Sequence, residues 1–364
     1  MIVPKDITDA LRHVSIPGSN ENIVDLDMVQ EIRIAGKKVS FTLVFQRTDD
    51  ANIQPVVEAS EAAILKYVGS DTLINGNISV KAVHDMQRPI LPHVKNIIAV
   101  ASGKGGVGKS TVAVNMAVAL ANQGYKVGLI DADIYGPSIP KMFGEEDARP
   151  TGTKMEGRDL INPIEKFGVK ILSIGFFVNT EDALVWRGPM ASNALKQLIT
   201  DGNWGELDYM LIDLPPGTSD IHLTLVQTVP VTGAVIVSTP QDVALADVVR
   251  GVSMFQGKAV DVPVLGLVEN MAWFTPEELP DNKYFIFGKD GGKKLADQLG
   301  LKLLGQVPIV QGIREGGDTG TPVAADADSI LGKAFGEVAS AMNEQLGYRN
   351  ANMAPTKKVK ITKK

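Results

Sequence analysis

The chain has 364 residues, 44% hydrophobic and 21% charged, with a formal net charge of −6 and no cysteine. That length suits about two or three globular domains, and the acidic balance supplies no basic field for nucleic acid. Without cysteine there is no disulfide, no thiolate nucleophile and no Cys-ligated metal or iron–sulfur site; the histidines, at 13, 84, 93 and 222, lack metal-ligand spacing.

The first element expected is a helix over Ile7–Val14. Lys5, Asp6 and Asp9 around its start are unlike a signal peptide. No apolar run in the chain approaches the ~18 residues of a membrane span, so a cytoplasmic protein without membrane contact is expected. Met28–Ile34 and Val39–Phe45 read as strands joined by a turn at Ala35–Lys38. In the second, Val39, Phe41, Leu43 and Phe45 fall on one face. A helix over Val56–Tyr67 and a strand over Ile78–Val83 complete a small α+β unit, residues 1–85, without a catalytic constellation. Residues 86–94, MQRPILPHV, carry two prolines and read as a semi-rigid linker.

From Lys95 strands and helices alternate, the pattern of an α/β, doubly wound, mostly parallel sheet. Expected strands are 97–101, 126–131, 169–174, 209–213, 233–238, 263–269 and 303–307, most of them continuous apolar runs. Expected helices are 110–122, 189–201, 219–228, 243–257, 290–299 and 327–346. In such sheets ligands sit beyond the carboxyl ends of the strands.

Asn96–Asp133 organises this half. An apolar run, NIIAVAS, leads into GKGGVGKST, and Gly103–Ser110 fits G-x-x-x-x-G-K-[ST], the phosphate-binding loop. Gly103, Gly105, Gly106 and Gly108 can take φ > 0, so the amides of Gly103 through Ser110, those of Lys104 and Val107 included, can curl inward around phosphate. The helix that follows adds the positive end of its dipole. Lys109 supplies a point charge near the β- and γ-phosphates, and Ser110 a hydroxyl for Mg²⁺.

Asp131 and Asp133 close the next strand, where carboxylates can polarise water or hold Mg²⁺ through water. Tyr209–Gly217, YMLIDLPPG, ends an apolar strand at Asp213, the expected Walker B ligand of Mg²⁺. The stiff turn Pro215-Pro216-Gly217 can present a backbone N–H to the γ-phosphate and act as a switch. Asn270 ends a later strand, as a strand-end cap or as an amide that pairs with adenine. Gly305–Pro308 and an Arg314–Asp318 loop can wall the base pocket. The tail after Gly347, ending PTKKVKITKK, reads as a solvated, disordered end.

GKGGVGKST, with Lys104 inside the loop, resembles the deviant Walker A P-loop ATPases such as MinD, ParA and the nitrogenase iron protein. IDADIYGPSIP, WRGPM, DYMLIDLPPGTSDIHLTL, STPQDVALADVVRG and VPVLGLVENM are similar to the Mrp/ApbC branch, called iron–sulfur cluster carriers. NIVDLDMVQEIRI resembles the MIP18-type domain often fused to them. The resemblance implies a homodimer that sandwiches ATP and serves iron–sulfur scaffold or apo-client proteins. In it Lys104 reaches the partner's nucleotide, and Lys109, Ser110 and Thr111 hold phosphates and Mg²⁺. Asp133 acts on the attacking water, Asp213 on the metal and Asn270 on adenine. The family also implies a [4Fe–4S] cluster bridged by C-P-x-C. Here Thr275 and Glu278 stand where those sulfurs would be, so cluster binding of the usual kind is not expected. Trp273, Phe274 and Tyr284–Phe287 read as local packing or as an apolar flap or interface. The alternative is a MinD- or ParA-like positioning protein, but the tail shows no amphipathic helix and the charge no DNA-binding surface.

Overall fold

The computed structural model describes residues 2–17, 21–45, 50–82, 90–134, 136–155, 157–177, 188–276, 278–279 and 281–359. His84, Tyr135, Trp186, Arg187, residues 86–89 of the proline-containing linker and the last lysines lie outside them. Contacts divide the chain into a unit Met1–Pro89 and a unit Ile90–Lys364.

The first unit contains α1 (Pro4–Leu11), β1 (Val29–Ala35), β2 (Lys38–Phe45), α2 (Ile53–Tyr67) and β3 (Ile78–Ala82). β2 lies in the middle of the sheet, antiparallel to β1 and parallel to β3. The alternating face of β2 is the core: Val39, Phe41, Leu43 and Phe45 pack with Ile7, Leu11, Val56 and Ile64 of the two helices. α1 begins earlier than its apolar spacing predicts. Pro4 pre-sets the first turn, and Asp6 accepts the Val3 N–H at 2.9 Å.

The second unit runs β4 (Val94–Ala101), α3 (Lys109–Asn122), β5 (Val127–Asp131), α4 (Ile139–Met142), β6 (Gly152–Met155), β7 (Arg158–Ile161), β8 (Ile164–Lys166) and β9 (Val169–Ser173). Then follow α5 (Gly188–Thr200), β10 (Leu207–Asp213), α6 (Asp220–Thr228), β11 (Gly233–Ser238), α7 (Asp242–Gln256), β12 (Val264–Phe274), α8 (Gly291–Leu299), β13 (Leu303–Ile309), α9 (Gln311–Asp318) and α10 (Ile330–Asn352). One eight-stranded sheet has the order β13-β12-β11-β4-β10-β5-β9-β8, parallel except for β8 against β9. Apolar clusters cover both faces, which is why β5, β10 and β11 are almost wholly apolar in sequence.

Three features depart from the sequence expectations. Arg314–Asp318 is helical, not a loop. Arg314 pairs with Asp318 at 2.7 Å and Gln311 with Glu315 at 2.6 Å, both one turn apart, and a Cβ on Gly316 would stand 2.6 Å from the Thr321 carbonyl oxygen. The short strands β6, β7 and β8 carry too little apolar alternation to be read. The tail expected to be disordered continues as helix to Asn352 and then follows the body. Arg349 donates to the Ala354 carbonyl (2.7 Å) and the Thr356 hydroxyl (2.8 Å), and the Val359 N–H bonds the Val226 carbonyl near the end of α6 at 2.9 Å. An orphan carbonyl at a helix end accounts for that last contact.

Candidate functional site

The sheet order brings the informative residues together. β10 lies between β4 and β5, and Asp213 is in register with Val100 on one side and Asp131 on the other. The loop after β4 therefore meets both strand-end carboxylates at the carboxyl edge of the sheet.

The loop reaches α3 through Gly106 (φ 82°) and Gly108 (φ 79°), the latter being the helix N-cap. Gly103 and Gly105 were expected to share this freedom; neither has positive φ. Gly103 is needed for space instead. A Cβ there would collide with the Asp247 backbone, its carbonyl oxygen only 2.6 Å away. Gly108 meets both demands, because a Cβ would also strike the Asn270 amide. Val107 is buried and anchors the loop from within.

Lys109 is buried at the start of α3. Its Nζ lies 2.6 Å from Asp213 Oδ1, 3.3 Å from Ser110 Oγ and 3.9 Å from Asp133 Oδ2. The Ser110 hydroxyl donates to Asp213 Oδ2 at 2.6 Å. Asp213 and Asp131 are both fully buried. Burial pushes the Asp213 carboxyl up, against the opposing pull of Lys109 and Ser110. Burial, with the Asp213 charge beside it, pushes Asp131 up to about 7. Hard oxygens from Ser110 and Asp213 thus converge beside an ammonium, a donor set that fits Mg²⁺ and phosphate.

The turn after β10 is tied to the loop. The Gly217 N–H, expected to face a γ-phosphate, donates to the Ser102 carbonyl at 2.9 Å, and the Ser102 hydroxyl donates to the Lys104 carbonyl at 2.9 Å. Lys104 itself is exposed and makes no ion pair among the described residues. Thr111 sits partly buried in the first turn of α3. Asn270 is buried, and its amide donates to the Val107 carbonyl at 2.8 Å. It is in register with Val307, which places Pro308 beside it on the edge strand β13, where a missing N–H is tolerated.

Sequence reasoning missed Ser173. Its hydroxyl donates to Asp131 Oδ2 at 2.9 Å from the end of β9, and nothing but its strand-end position could have flagged it. It also missed Glu269, a buried carboxylate that accepts the Gly292 and Lys293 N–H groups at the start of α8 and the Gln306 amide.

Beyond Asn270 the strand kinks at Met271 (φ 57°) and ends in an arm where Phe274 and Tyr284 exchange backbone hydrogen bonds of 2.8 Å. Lys283 covers the Trp273 ring at 3.8 Å, while Leu279, Tyr284, Phe285 and Ile286 are exposed. Thr275 and Glu278 lie on this arm. Neither is a soft donor, so the site does not fit an iron–sulfur cluster.

Residues 93–343 match the model of the NUBPL iron-transfer P-loop NTPase. The chain belongs to that family. Residues 4–73 match an iron–sulfur cluster assembly protein domain. The iron–sulfur cluster carrier protein of Synechocystis is 43% identical over 345 residues, covering 93% of this chain and 96% of that one. Among solved structures, the nucleotide-binding protein of Archaeoglobus fulgidus in complex with ADP is 35% identical with a TM-score of 0.58, covering 68% of this chain and 94% of that one. The septum site-determining protein MinD of Pyrococcus horikoshii, complexed with Mg-ADP, is 25% identical with a TM-score of 0.52, covering 70% and 98%. The family therefore accounts for both the doubly wound sheet and the loop; the second unit carries the iron-transfer match and the first the iron–sulfur cluster assembly match.

Proposed function

We propose that this chain binds Mg-ATP on the Gly103–Thr111 loop, hydrolyses it slowly as a homodimer, and works in the assembly or transfer of iron–sulfur clusters to apo-proteins. The observation that carries the nucleotide reading is the trio of buried Lys109, partly buried Ser110 and buried Asp213, held within 2.6–3.3 Å of one another at the mouth of the loop. The ADP complex of the Archaeoglobus relative supports it, and the cluster carrier name of the Synechocystis relative supports the client class.

In this reading the loop amides and Lys109 hold the phosphates. Ser110 and Asp213 would hold Mg²⁺, which would supply positive charge to the β- and γ-phosphates. Asp133, the carboxylate of the trio's surroundings with some exposure, acts on the attacking water. Asn270 and Pro308 contribute the base side, Asn270 from a side chain that also ties down the loop. Lys104 reaches the nucleotide of the second copy. The turn at Pro215–Gly217 exchanges its bond to Ser102 for the γ-phosphate and so reports the nucleotide to α6. The cluster is cargo handled with partner proteins, because this chain offers no thiolate to hold it.

The test is ATP turnover by the purified full chain with Mg²⁺. Lys109→Ala abolishes it; unchanged turnover in that variant refutes the site.

A further inference from the structure

The segment that carries Asp133 rests on a seat built by the residues that end β9. Ser173 is paired in register with Asp131 across the sheet, and both side chains are fully buried. The Ser173 hydroxyl has one proton, and it is spent on Asp131 Oδ2 at 2.9 Å. Its lone pair takes the Gly175 N–H at 3.0 Å, so the hydroxyl's direction is set from both sides. Asp131 in turn accepts the Asp133 N–H on Oδ1 at 3.2 Å and the Ile139 N–H on Oδ2 at 3.3 Å. One buried carboxylate thus grips both ends of the 133–139 segment.

Gly175 makes the seat from the other side. A Cβ at this position would stand 3.1 Å from Pro137 Cβ and 3.3 Å from Pro140 Cγ, tighter than ordinary packing allows. Pro137 and Pro140 therefore lean on the bare face of Gly175. Asp131 has no exposed surface with which to meet a substrate. Its hydrogen bonds run to backbone amides and to Ser173, and through them it fixes where Asp133 stands.

We infer that Ser173, Asp131 and Gly175 form a positioning unit that sets Asp133 relative to Lys109 and the loop. This rests on the proposed role of Asp133 and moves Asp131 from the reacting groups to their support. The unit acts on the geometry of the reacting groups and leaves the phosphate grip of the loop alone.

The experiment compares the full-length wild type with Ser173→Ala, Ser173→Thr and Gly175→Ala. It reads kcat and KM for Mg-ATP, the affinity for ADP, the thermal midpoint, and hydrogen exchange of the peptide covering 132–140. Ser173→Ala is expected to lower kcat about ten- to a hundredfold, the cost of a small misplacement of a reacting group, with KM and ADP affinity near wild type. Exchange over 132–140 rises. Ser173→Thr, which keeps the hydroxyl, recovers most of the rate, and Gly175→Ala repeats the loss confined to kcat. Unchanged kcat and exchange in Ser173→Ala overturn the inference. So does a loss shared between kcat and ADP affinity, which would mark a general structural role. If the wild type itself does not hydrolyse ATP, the proposed function fails, and the exchange result alone decides whether the seat exists.

Discussion

Lys109 is enclosed by carboxylates and a hydroxyl, with a distance of 2.6 Å to Asp213 that leaves no room for water between them. Taking such a pair out of water is costly, and its geometry must be good to offset that cost. In the proposed function, phosphate oxygens would compete with Asp213 for the same ammonium, so ligand binding and the buried pair would be coupled at one atom. Another buried ionisable side chain, His222, lies in the first turn of α6. Its Nδ1 accepts the Ser219 N–H at 3.2 Å, and its Nε2 has no partner among the described residues. Burial pushes the imidazole down from 6.5 to about 4. The fold thus favours the neutral ring. Its contribution is present above pH 6.5 and is lost as pH falls through about 4. That loss amounts to about 3 kcal/mol at most. His222→Gln, which keeps an acceptor at this capping position, removes it. Denaturant titrations between pH 7 and 4 should show wild type losing stability relative to the variant; parallel curves would contradict the assignment. At this scale the sequence exposed Lys109, Ser110 and Asp213 because their spacing repeats a known geometry. It could not separate the glycines that need positive φ, Gly106 and Gly108, from Gly103, which needs room beside Asp247. That distinction depends on what packs nearby.

Among the elements, periodicity located the long ones and failed on those held by specific side-chain bonds. α9 contains three glycines, yet pairs one turn apart and the close approach at Gly316 make it helical. The C-terminal tail was misread for a related reason. Its lysines suggest solvent, but its backbone and Val359 serve the body: Val359 packs against the apolar cluster beneath α6 and donates to the Val226 carbonyl. Deleting residues 353–364 should cost about 1 kcal/mol or more for each buried bond lost and speed hydrogen exchange in the last turn of α6. Unaltered exchange across 220–228 would show that the tail contributes nothing there. Because α6 follows the turn at Pro215–Gly217, the tail and that turn lie at opposite ends of one helix.

For the molecule as a whole, two compact units and one cysteine-free composition constrain the role. Anaerobic reconstitution with iron and sulfide is expected to leave the protein without a stable cluster, since Thr275 and Glu278 replace the usual thiolates. Stoichiometric iron and sulfide with a broad visible absorbance would overturn that and make the chain a carrier by unforeseen ligands. The phosphate loop, the alternation of strands and helices and the want of thiolates were determined by the sequence itself, because each is a property of neighbouring residues or of composition. The insertion of β10 between β4 and β5, the meeting of Asp131 with Ser173 and the lie of the tail on α6 were decided only in three dimensions. Strand order in a parallel sheet is set by crossovers and by packing on both faces, and no local pattern in the chain encodes which distant strand will be the neighbour.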